Sequence, residues 1–328
     1  MNHTPDATSA PVTVREVGLR DGLQILARTV PTAHKTAWLR AAHAAGLRHF
    51  EVGSFVPPKL MPQLADTAEV VAAGLALPGA VVSVLVPNLK GAERALASGA
   101  HALLMPVSAS HAHSLANLKR TPDEAVAELA RIAAARDRHA AATGQRVRLE
   151  VGLSTAFGCT IQGRVDQAEA LRLVDAVIAA GADAVGLADT VGYADPEQVR
   201  RLFTRAREQH GGRIDCGHFH DTRGLGLANV YAAWQTGVRT FDACLGGLGG
   251  CPHAPGASGN VATEDLAYLF ASMGVPTGLS VSELLRVRGE LAAWLPGETL
   301  RGSIAGAGLP RTLQPVAAAA AASVAVAA

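Results

Sequence analysis

The sequence is poor in cysteine and in aromatic residues. Four cysteines in 328 residues are too few for a disulfide framework, and their spacing matches no zinc-finger pattern. Aromatic residues make up 4%, and neither sign of charge dominates, since 29 Lys and Arg face 28 Asp and Glu. Without a basic block no nucleic-acid partner is expected. The cysteine usage indicates a reducing, cytoplasmic setting.

Targeting and membrane segments are not recognisable in the sequence either. Met1–Ala10 has neither the basic nor the apolar stretch of a signal peptide. The Ala- and Val-rich tail after Pro315 falls short of the roughly twenty apolar residues that span a bilayer. We expect no membrane partner, a flexible terminus over residues 1–11 and a partly disordered tail over residues 300–328.

Hydrophobic residues make up 49% of the chain and charged residues 17%, a balance typical of a folded protein with a sizeable core. Short β-branched runs alternate with longer Ala- and Leu-rich runs, which is the pattern of repeated βα units. The predicted strands are Val12–Val17, Arg48–Val52, Val81–Val86, Ala102–Met105, Val147–Val151, Ala184–Leu187, Ile214–His218 and Thr240–Cys244. The predicted helices include Thr32–Ala45, Ala92–Ser98, Pro122–Ala142, Asp166–Ala180, Pro196–His210 and Leu225–Thr236. Three of the gaps end in a C-cap glycine: Gly46, Gly99 and Gly181.

Eight such units predict a (β/α)8 TIM barrel over residues 12–299, with a C-terminal helical extension capping the catalytic face. A doubly wound sheet uses the same units and is the alternative. The first strand, however, runs into Gly18–Gly22, which is not a dinucleotide fingerprint, and the chain contains no Walker sequence. The barrel is therefore the preferred fold.

In a barrel the chemistry collects after the carboxyl ends of the strands. The residues at these positions are Arg20, Asp21, Glu51, Asn88, Ser108, Ser110, Ser154, Thr155, Asp189, Thr190, His218, His220, Asp221 and Gly246–Cys251. If the strand register is right, all of them meet at one mouth.

His218 and His220 alternate at strand spacing, so both imidazoles should point to the same face. With the carboxylate of Asp21 they would form a ligand set that suits a divalent cation and leaves positions open for substrate. The competing interpretation is a structural histidine pair without metal, because two ligands do not define a site.

Other candidate groups also have two interpretations. Cys251, in the glycine-rich run Gly246–Pro252, is either an acid or base carried by a mobile loop or an inert thiol. Arg20 and Asp21 are either active-site groups or an adjacent surface ion pair, and Glu51 is either catalytic or a buried partner for an arginine.

Longer motifs resemble one family, the 3-hydroxy-3-methylglutaryl-CoA lyases, within the wider group that contains isopropylmalate and homocitrate synthases. The motifs are Val14–Gln24, Glu51–Val56, Pro87–Gly91, Ala188–Gly192, His218–Thr222, Gly246–Pro252 and Gly256–Asp265. The resemblance extends from about Thr13 to about Thr299.

The resemblance implies a divalent-metal-dependent retro-Claisen cleavage of 3-hydroxy-3-methylglutaryl-CoA to acetyl-CoA and acetoacetate. It implies an acyl-CoA substrate, a homodimer, and Mg²⁺ or Mn²⁺ held by Asp21, His218, His220 and Asn260. Arg20, positioned by Glu51, would stabilise the enolate. His218 and Cys251 are the candidates for protonating carbon, with Asp189 as a further active-site carboxylate, and the assignment of base and acid stays open. Expected substrate contacts are Arg20, Gln24, Asn88, Ser110, Ser154 and Thr155.

The chain departs from the family pattern in the expected acyl pocket. The usual Arg-Gly-Tyr-Val-Ser-Cys is Glu150–Thr155 here, and the usual Gly-Cys-Pro-Tyr is Gly158–Ile161. Leu19 replaces a proline, and Ile25-Leu26 replaces Asn-Glu. Because Gly152 and Ile161 stand where tyrosines are usual, the substrate is hypothesised to be citramalyl-CoA or a longer 3-branched glutaryl-CoA. A place in leucine degradation depends on that substrate.

Two further functions compete with the lyase. One is a synthase that condenses acetyl-CoA with a 2-oxo acid, although the chain is too short for the synthases' extra regulatory region. The other is a catalytically silent barrel that binds CoA esters. Three loop lysines, Lys59, Lys90 and Lys119, could reach the phosphates of CoA or could be ordinary solvated charges.

Overall fold

A computed structural model describes residues 10–250 and 259–313. Its eight parallel strands close into a barrel in chain order, and β1 pairs with β8. The strands are β1 Thr13–Glu16, β2 His49–Ser54, β3 Val81–Leu85, β4 Ala102–Ser108, β5 Arg148–Ser154, β6 Ala184–Asp189, β7 Ile214–Phe219 and β8 Thr240–Ala243. All eight predicted strands are present, so the TIM barrel is confirmed and the doubly wound sheet is excluded.

Eleven α-helices lie in the described part of the chain. They are α1 Thr32–Ala44, α2 Thr67–Leu75, α3 Leu89–Ala97, α4 His111–Leu118, α5 Pro122–Thr143, α6 Gln167–Ala179, α7 Pro196–His210, α8 Gly226–Gln235, α9 Thr263–Ser272, α10 Val281–Trp294 and α11 Ile304–Ala307. The six predicted helices are all present, with ends that differ by at most three residues. The short helices α2 and α4 were not predicted.

The longest helix, α5, shows how the sequence sets the ends of an element. Thr121 precedes it and accepts a hydrogen bond from the Glu124 N–H, while the Glu124 carboxylate accepts one from the Thr121 N–H. Pro122 occupies the first turn, where no N–H donor is needed, and Gly144 ends the helix in a left-handed conformation.

Strand β5 shows where the core lies and where it is interrupted. Its buried residues Leu149, Val151 and Leu153 alternate with partly exposed ones. The latter set, Glu150, Gly152 and Ser154, lines a cavity inside the barrel. Because barrel interiors are usually filled by branched apolar side chains, this strand leaves space below the mouth.

The segment after β8 supplies the predicted helical extension. Helix α9 packs against β1 and α8, and α10 packs against α1 and α9 along the flank of the barrel. The extension reaches the carboxyl end of the barrel at Arg301, whose N–H donates to the Gly246 carbonyl at 2.7 Å. None of the helices in the two described ranges is long and apolar enough to cross a membrane.

The terminal predictions fall mainly outside the described residues. Residues 1–9 and 314–328, which belong to the predicted flexible terminus and tail, are not described. Residues 300–313, which were also assigned to the tail, are described and include α11. There the N–H groups of Ser303 and Ile304 donate to the Asp265 carboxylate at 2.7 and 2.9 Å.

Candidate metal and catalytic site

A five-residue π-helical turn, Gly18–Gly22, follows β1 and carries Arg20 and Asp21. The Gly22 N–H donates to the Val17 carbonyl at 3.4 Å, which is the π-helical bond, and the Asp21 N–H donates to the same carbonyl at 2.7 Å. Every residue of the turn is buried. Such wide turns are rare and often occur at functional sites. This turn places both side chains at the carboxyl end of the barrel, as predicted.

Arg20 is held by two carboxylates inside the barrel mouth. Its guanidinium donates to Asp21 Oδ1 and, at 2.7 Å, to Glu51 Oε2. Arg20 and Asp21 are only 7% and 5% exposed, so the surface ion-pair interpretation is wrong. Burial acts to lower the pKa of Arg20, but the charges of Glu51 and Asp21 raise the pKa well above its usual range. The guanidinium is therefore a permanent, oriented positive charge.

Asp21, His218 and His220 form a group whose ligand atoms all lie within 4.8 Å of one another. The Nε2 atoms of the two histidines are 3.1 Å apart, and Asp21 Oδ2 lies 3.7 Å from His220 Nε2. Burial would raise the pKa of Asp21, but the charge of Arg20 and a hydrogen bond with His220 hold it well below its usual range. The carboxylate is thus ionised and available to a cation.

Asp242, on β8, orients His218 and was missed by sequence reasoning. Its Oδ2 lies 3.0 Å from His218 Nδ1, and its Oδ1 accepts from Arg15 Nε at 2.7 Å. Burial would raise the pKa of Asp242, but Arg15 and His218 hold it well below its usual range. An ionised Asp242 keeps the proton of a neutral His218 on Nδ1, which leaves the Nε2 lone pair facing His220.

Asn260, which is 239 positions after Asp21 in the sequence, completes the group. Its amide donates to Asp21 Oδ2 at 2.6 Å and to the Leu248 carbonyl at 3.0 Å, while its Oδ1 is buried and has no hydrogen-bond partner among the described residues. A buried oxygen without a donor is costly, and a cation would satisfy it. Together with the converging histidine nitrogens, this orphaned oxygen shows that the residues present fit a metal ion.

The glycine-rich run after β8 packs directly on this group. Gly249 has φ +113°, and a Cβ at this position would lie 2.4 Å from Asn260 Nδ2 and 3.0 Å from Asp21 Oδ2. Only glycine lets the backbone pass so close to the candidate metal ligands. Cys251 lies outside the described residues, so its expected catalytic role stays a prediction.

Two buried glutamates, which were not singled out from the sequence, anchor the start of this run. The Leu245 N–H donates to Glu16 at 3.1 Å, and the Gly246 N–H donates to Glu264 at 3.1 Å. Burial raises the pKa of each glutamate to about 7, against the lowering effect of its hydrogen bonds. In the sequence, the only indication of these two residues is that each is an acidic side chain within a segment that is expected to pack against the barrel.

A carboxyl group whose pKa rises from 4.5 to about 7 on folding weakens the fold as pH increases through that window, because the folded protein holds its proton more tightly. For Glu16 the difference corresponds to roughly 3 kcal/mol. We expect the stability of Glu16→Gln, relative to wild type, to improve by up to this amount between pH 4.5 and 7 and then to stay constant. Urea unfolding of metal-free protein measures it, with the exposed Glu69→Gln as control. Stability curves of Glu16→Gln and wild type that run parallel across this window would contradict the assignment.

A cavity of about 490 Å³ opens at the carboxyl end of the barrel. The predicted site residues that line it are Arg20, Asp21, Gln24, Asn88, Ser154, His218 and His220. Gln24 donates to Asp21 Oδ1 at 2.7 Å, and Asn88 accepts from the Gly91 N–H as the N-cap of α3. These residues are therefore brought together as the sequence predicts.

Three predicted site residues do not line the cavity among the described residues: Ser110, Thr155 and Asp189. Ser110 caps α4 and donates to Gln162 Oε1 at 2.9 Å, and Thr155 Oγ1 accepts from the Ser110 N–H at 3.0 Å. The Asp189 carboxylate accepts from the N–H groups of Tyr193 and Ala194 at 2.8 and 3.1 Å. Burial raises the pKa of Asp189. In this structure the three side chains shape loops and do not face the described cavity.

Comparison with known proteins agrees with this geometry. The HMGL-like family model matches residues 12–290. The chain is 36% identical over 274 residues to a hydroxymethylglutaryl-CoA lyase of Bacillus subtilis, covering 84% of this chain and 90% of the relative. It is 37% identical over 294 residues to the (R)-citramalyl-CoA lyase of Chloroflexus aurantiacus, covering 87% of this chain and 91% of that lyase.

A solved structure is similar over nearly the whole chain. It is an HMG-CoA lyase of Acinetobacter baumannii in complex with coenzyme A and 3-methylmalate, with 37% identity, a TM-score of 0.86 and coverage of 96% of this chain and 99% of that one. The protein belongs to the HMGL-like family and is a carbon–carbon lyase of the hydroxymethylglutaryl-CoA lyase type.

Proposed function

We propose that the enzyme cleaves a 3-hydroxyacyl-CoA with a distal carboxylate into acetyl-CoA and an oxo acid, with 3-hydroxy-3-methylglutaryl-CoA as the leading substrate. The observation that carries this proposal is the juxtaposition of the buried Arg20 guanidinium with the Asp21, His218 and His220 group in one cavity. The lyases named above support the same reaction class.

Asp21, His218, His220 and the Oδ1 atom of Asn260 would hold Mg²⁺ or Mn²⁺. The donor set contains oxygen and imidazole nitrogen and no thiolate, which suits hard and intermediate divalent ions. When bound, the ion would supply Lewis-acid chemistry that orients the substrate and eases loss of its hydroxyl proton.

The protein's own groups account for the charge that develops during cleavage. When the C3 hydroxyl loses its proton, the C2–C3 electron pair moves into the thioester carbonyl and forms the acetyl-CoA enolate. Arg20 lines the cavity and has five N–H donors, of which Asp21 and Glu51 each take one, so donors with permanent charge remain for this oxygen. Glu51 holds the other side of the guanidinium and fixes its direction. A proton then returns to C2, for which His218 and Cys251 are the two candidates.

The CoA arm would leave through the side of the mouth that carries Lys119. Among Lys59, Lys90 and Lys119, only Lys119 lines the cavity as the structure describes it, at the end of α4. We expect Lys119→Gln to raise KM about 5-fold with little change in kcat, because one exposed charge pair with a phosphate is worth about 1 kcal/mol. Lys90→Gln is the matched control. Steady-state kinetics check this, and equal KM values for the two variants would remove Lys119 from the CoA site.

Citramalyl-CoA is the second candidate substrate, because the acyl pocket has an altered wall. A Cβ at Gly152 would meet nothing nearer than Leu104 Cδ1 at 3.8 Å, so space replaces the tyrosine usual in the family. Ile161 is 50% exposed and does not line the described cavity, so the expectation that it opens the acyl pocket is wrong. Gly152 alone carries the argument for a different substrate.

A panel of thioesters tests the proposal. Purified enzyme with Mn²⁺ is given 3-hydroxy-3-methylglutaryl-CoA or citramalyl-CoA, and the products are identified by mass spectrometry. We expect acetyl-CoA in both reactions, with acetoacetate from the first and pyruvate from the second, and the ratio of the two kcat/KM values identifies the preferred acyl group. Absence of acetyl-CoA from both would overturn the proposed function.

A further inference from the structure

The cavity continues below the candidate metal group into the barrel. Gly152 and Ala188 line it beside His218, and Glu150 lines it two residues earlier on β5, a distance of about 6.6 Å along a strand. Arg15 lines it at the same depth. This level of a barrel is normally packed with branched apolar side chains. The acyl pocket is therefore deeper than a methyl group needs.

Gly152 opens this depth, whereas a Cβ at Gly186 would meet Cys216 Cβ at 3.1 Å. Gly152 on β5 is in direct register with Gly186 on β6, and both line the cavity. The adjoining wall, on β3 and β4, is apolar and is formed by Leu85, Leu104 and Pro106. An alkyl chain that passes the glycines would therefore contact hydrocarbon on one side before it reaches the floor.

The floor itself is charged. Arg15 Nε donates to Asp242 Oδ1 at 2.7 Å, and Arg15 NH1 donates to Glu150 Oε2 at 2.6 Å. Glu150 Oε1 also lies 2.9 Å from Arg148 Nε. Each carboxylate oxygen has two acceptor positions, so Glu150 can accept a further hydrogen bond while it keeps both arginines. Its side chain is 15% exposed, the largest fraction among Arg15, Asp242 and Glu150.

This charge pattern discriminates between kinds of substituent. Buried ion pairs are often no better for stability than apolar side chains of similar volume, so their presence at a cavity wall points to a contact with ligand. Arg148 also pairs with Asp215, so the network at the floor holds two positive and three negative charges, which disfavours an additional carboxylate. A neutral hydroxyl can donate to Glu150 and would satisfy its free acceptor position.

We propose that Arg15 and Glu150 form the end of a subsite for the C3 substituent of the substrate, and that they select a substituent longer than methyl that ends in a hydroxyl group. The inference rests on the proposed function. The hydroxyl and carboxylate of the substrate are directed to the metal group and the CoA arm to the mouth at Lys119. The C3 substituent would then point into the barrel, past Gly152 and towards Glu150.

Two isosteric thioesters test the subsite. The wild-type enzyme with Mn²⁺ is given 3-hydroxy-3-(3-hydroxypropyl)glutaryl-CoA and 3-hydroxy-3-butylglutaryl-CoA, which differ by a hydroxyl in place of a methyl group, with the 3-methyl compound as reference. We expect kcat/KM for the hydroxypropyl compound to exceed that of the butyl compound at least 10-fold, because the butyl end would displace water from Glu150 without donating a hydrogen bond in its place.

Variants separate selection from folding. Glu150→Met keeps the Arg15–Asp242 pair and is expected to reduce the preference to 3-fold or less. The preference is the ratio of two kcat/KM values of the same variant, so a general loss of activity cancels. Glu150→Gln keeps one acceptor oxygen and serves as a second variant should the methionine side chain impair folding, with an intermediate preference. Gly152→Tyr is expected to lower kcat/KM for both long substrates relative to the 3-methyl compound.

The outcomes distinguish this inference from the function on which it rests. Equal kcat/KM values for the matched thioesters, or a preference for butyl, overturn the hydroxyl-selective subsite if the 3-methyl compound is cleaved. An unchanged preference in both Glu150 variants also overturns it. No cleavage of any of the three thioesters, with citramalyl-CoA also left intact, overturns the proposed function itself.

Discussion

Replacing Arg20 with methionine is expected to lower kcat by about 10³-fold, because a preorganised donor at a developing oxyanion contributes this much in enzymes of similar logic. Arg20 is buried, and its contacts with Asp21 and Glu51 fix the direction of its guanidinium. Methionine at this position therefore removes an oriented charged donor. Arg20→Lys keeps the charge and loses the fork, and we expect it to recover only part of the loss.

Folding and chemistry are separable in this test. Removing Arg20 leaves Glu51, which is fully buried, without its partner, and an unpaired buried charge costs roughly 3–5 kcal/mol. The double variant Arg20→Met/Glu51→Gln removes that cost and should recover stability without recovering kcat. Thermal unfolding and steady-state kinetics measure the two effects. A kcat near the wild-type value in Arg20→Met would rule out the oxyanion role.

Replacing His220 with alanine is expected to weaken metal binding at least 100-fold and to abolish measurable turnover at micromolar metal. His220 is 3% exposed, and its Nε2 faces His218 Nε2 at 3.1 Å. In the part of the chain that the structure describes, its Nδ1 has no hydrogen-bond partner. Loss of a group that only orients a ligand already costs about 10–100-fold in affinity, so loss of the ligand itself should cost more.

Calorimetric titration of chelator-treated protein with Mn²⁺ measures this effect independently of activity. The exposed His111→Ala, on α4, is the matched control and should bind as wild type does. Wild-type affinity in His220→Ala would show that the histidine pair is structural, which is the interpretation that the sequence alone left open.

Much of the fold can be predicted from local sequence, because each βα unit has its own hydrophobic pattern and its own capping residues. The β-branched runs and the capping residues mark strand and helix positions without reference to distant parts of the chain. The metal group was predicted for the same reason: His218 and His220 share a strand, and Asp21 lies at the end of another. Their convergence follows once the barrel closes.

Contacts between residues that are far apart in the sequence could not be predicted from local patterns. Arg15 and Asp242 are separated by 227 positions and meet only because β1 pairs with β8. In the sequence Asp242 is an isolated charge in an apolar strand, and Arg15 stands next to Glu16 in a strand that is otherwise β-branched. These charges within predicted strands were the available signal.

Predictions at strand ends failed for another reason. Ser110 and Thr155 follow their strands as predicted, but the loops turn and use both hydroxyls for local hydrogen bonds. Position after a strand indicates the correct end of the barrel and does not indicate which way a side chain points. The π-helical turn at Gly18–Gly22 was likewise beyond pattern reasoning, because hydrogen bonding to Val17 defines it.

We propose that Arg20 and the group of Asp21, His218, His220 and Asn260 form a metal-dependent lyase site. Its most direct test is the release of acetyl-CoA from 3-hydroxy-3-methylglutaryl-CoA by chelator-treated enzyme, with and without added Mg²⁺ or Mn²⁺. We expect no turnover without metal and restored turnover with it. Turnover that is unaffected by removing the metal, or a protein that binds neither ion, would contradict this account.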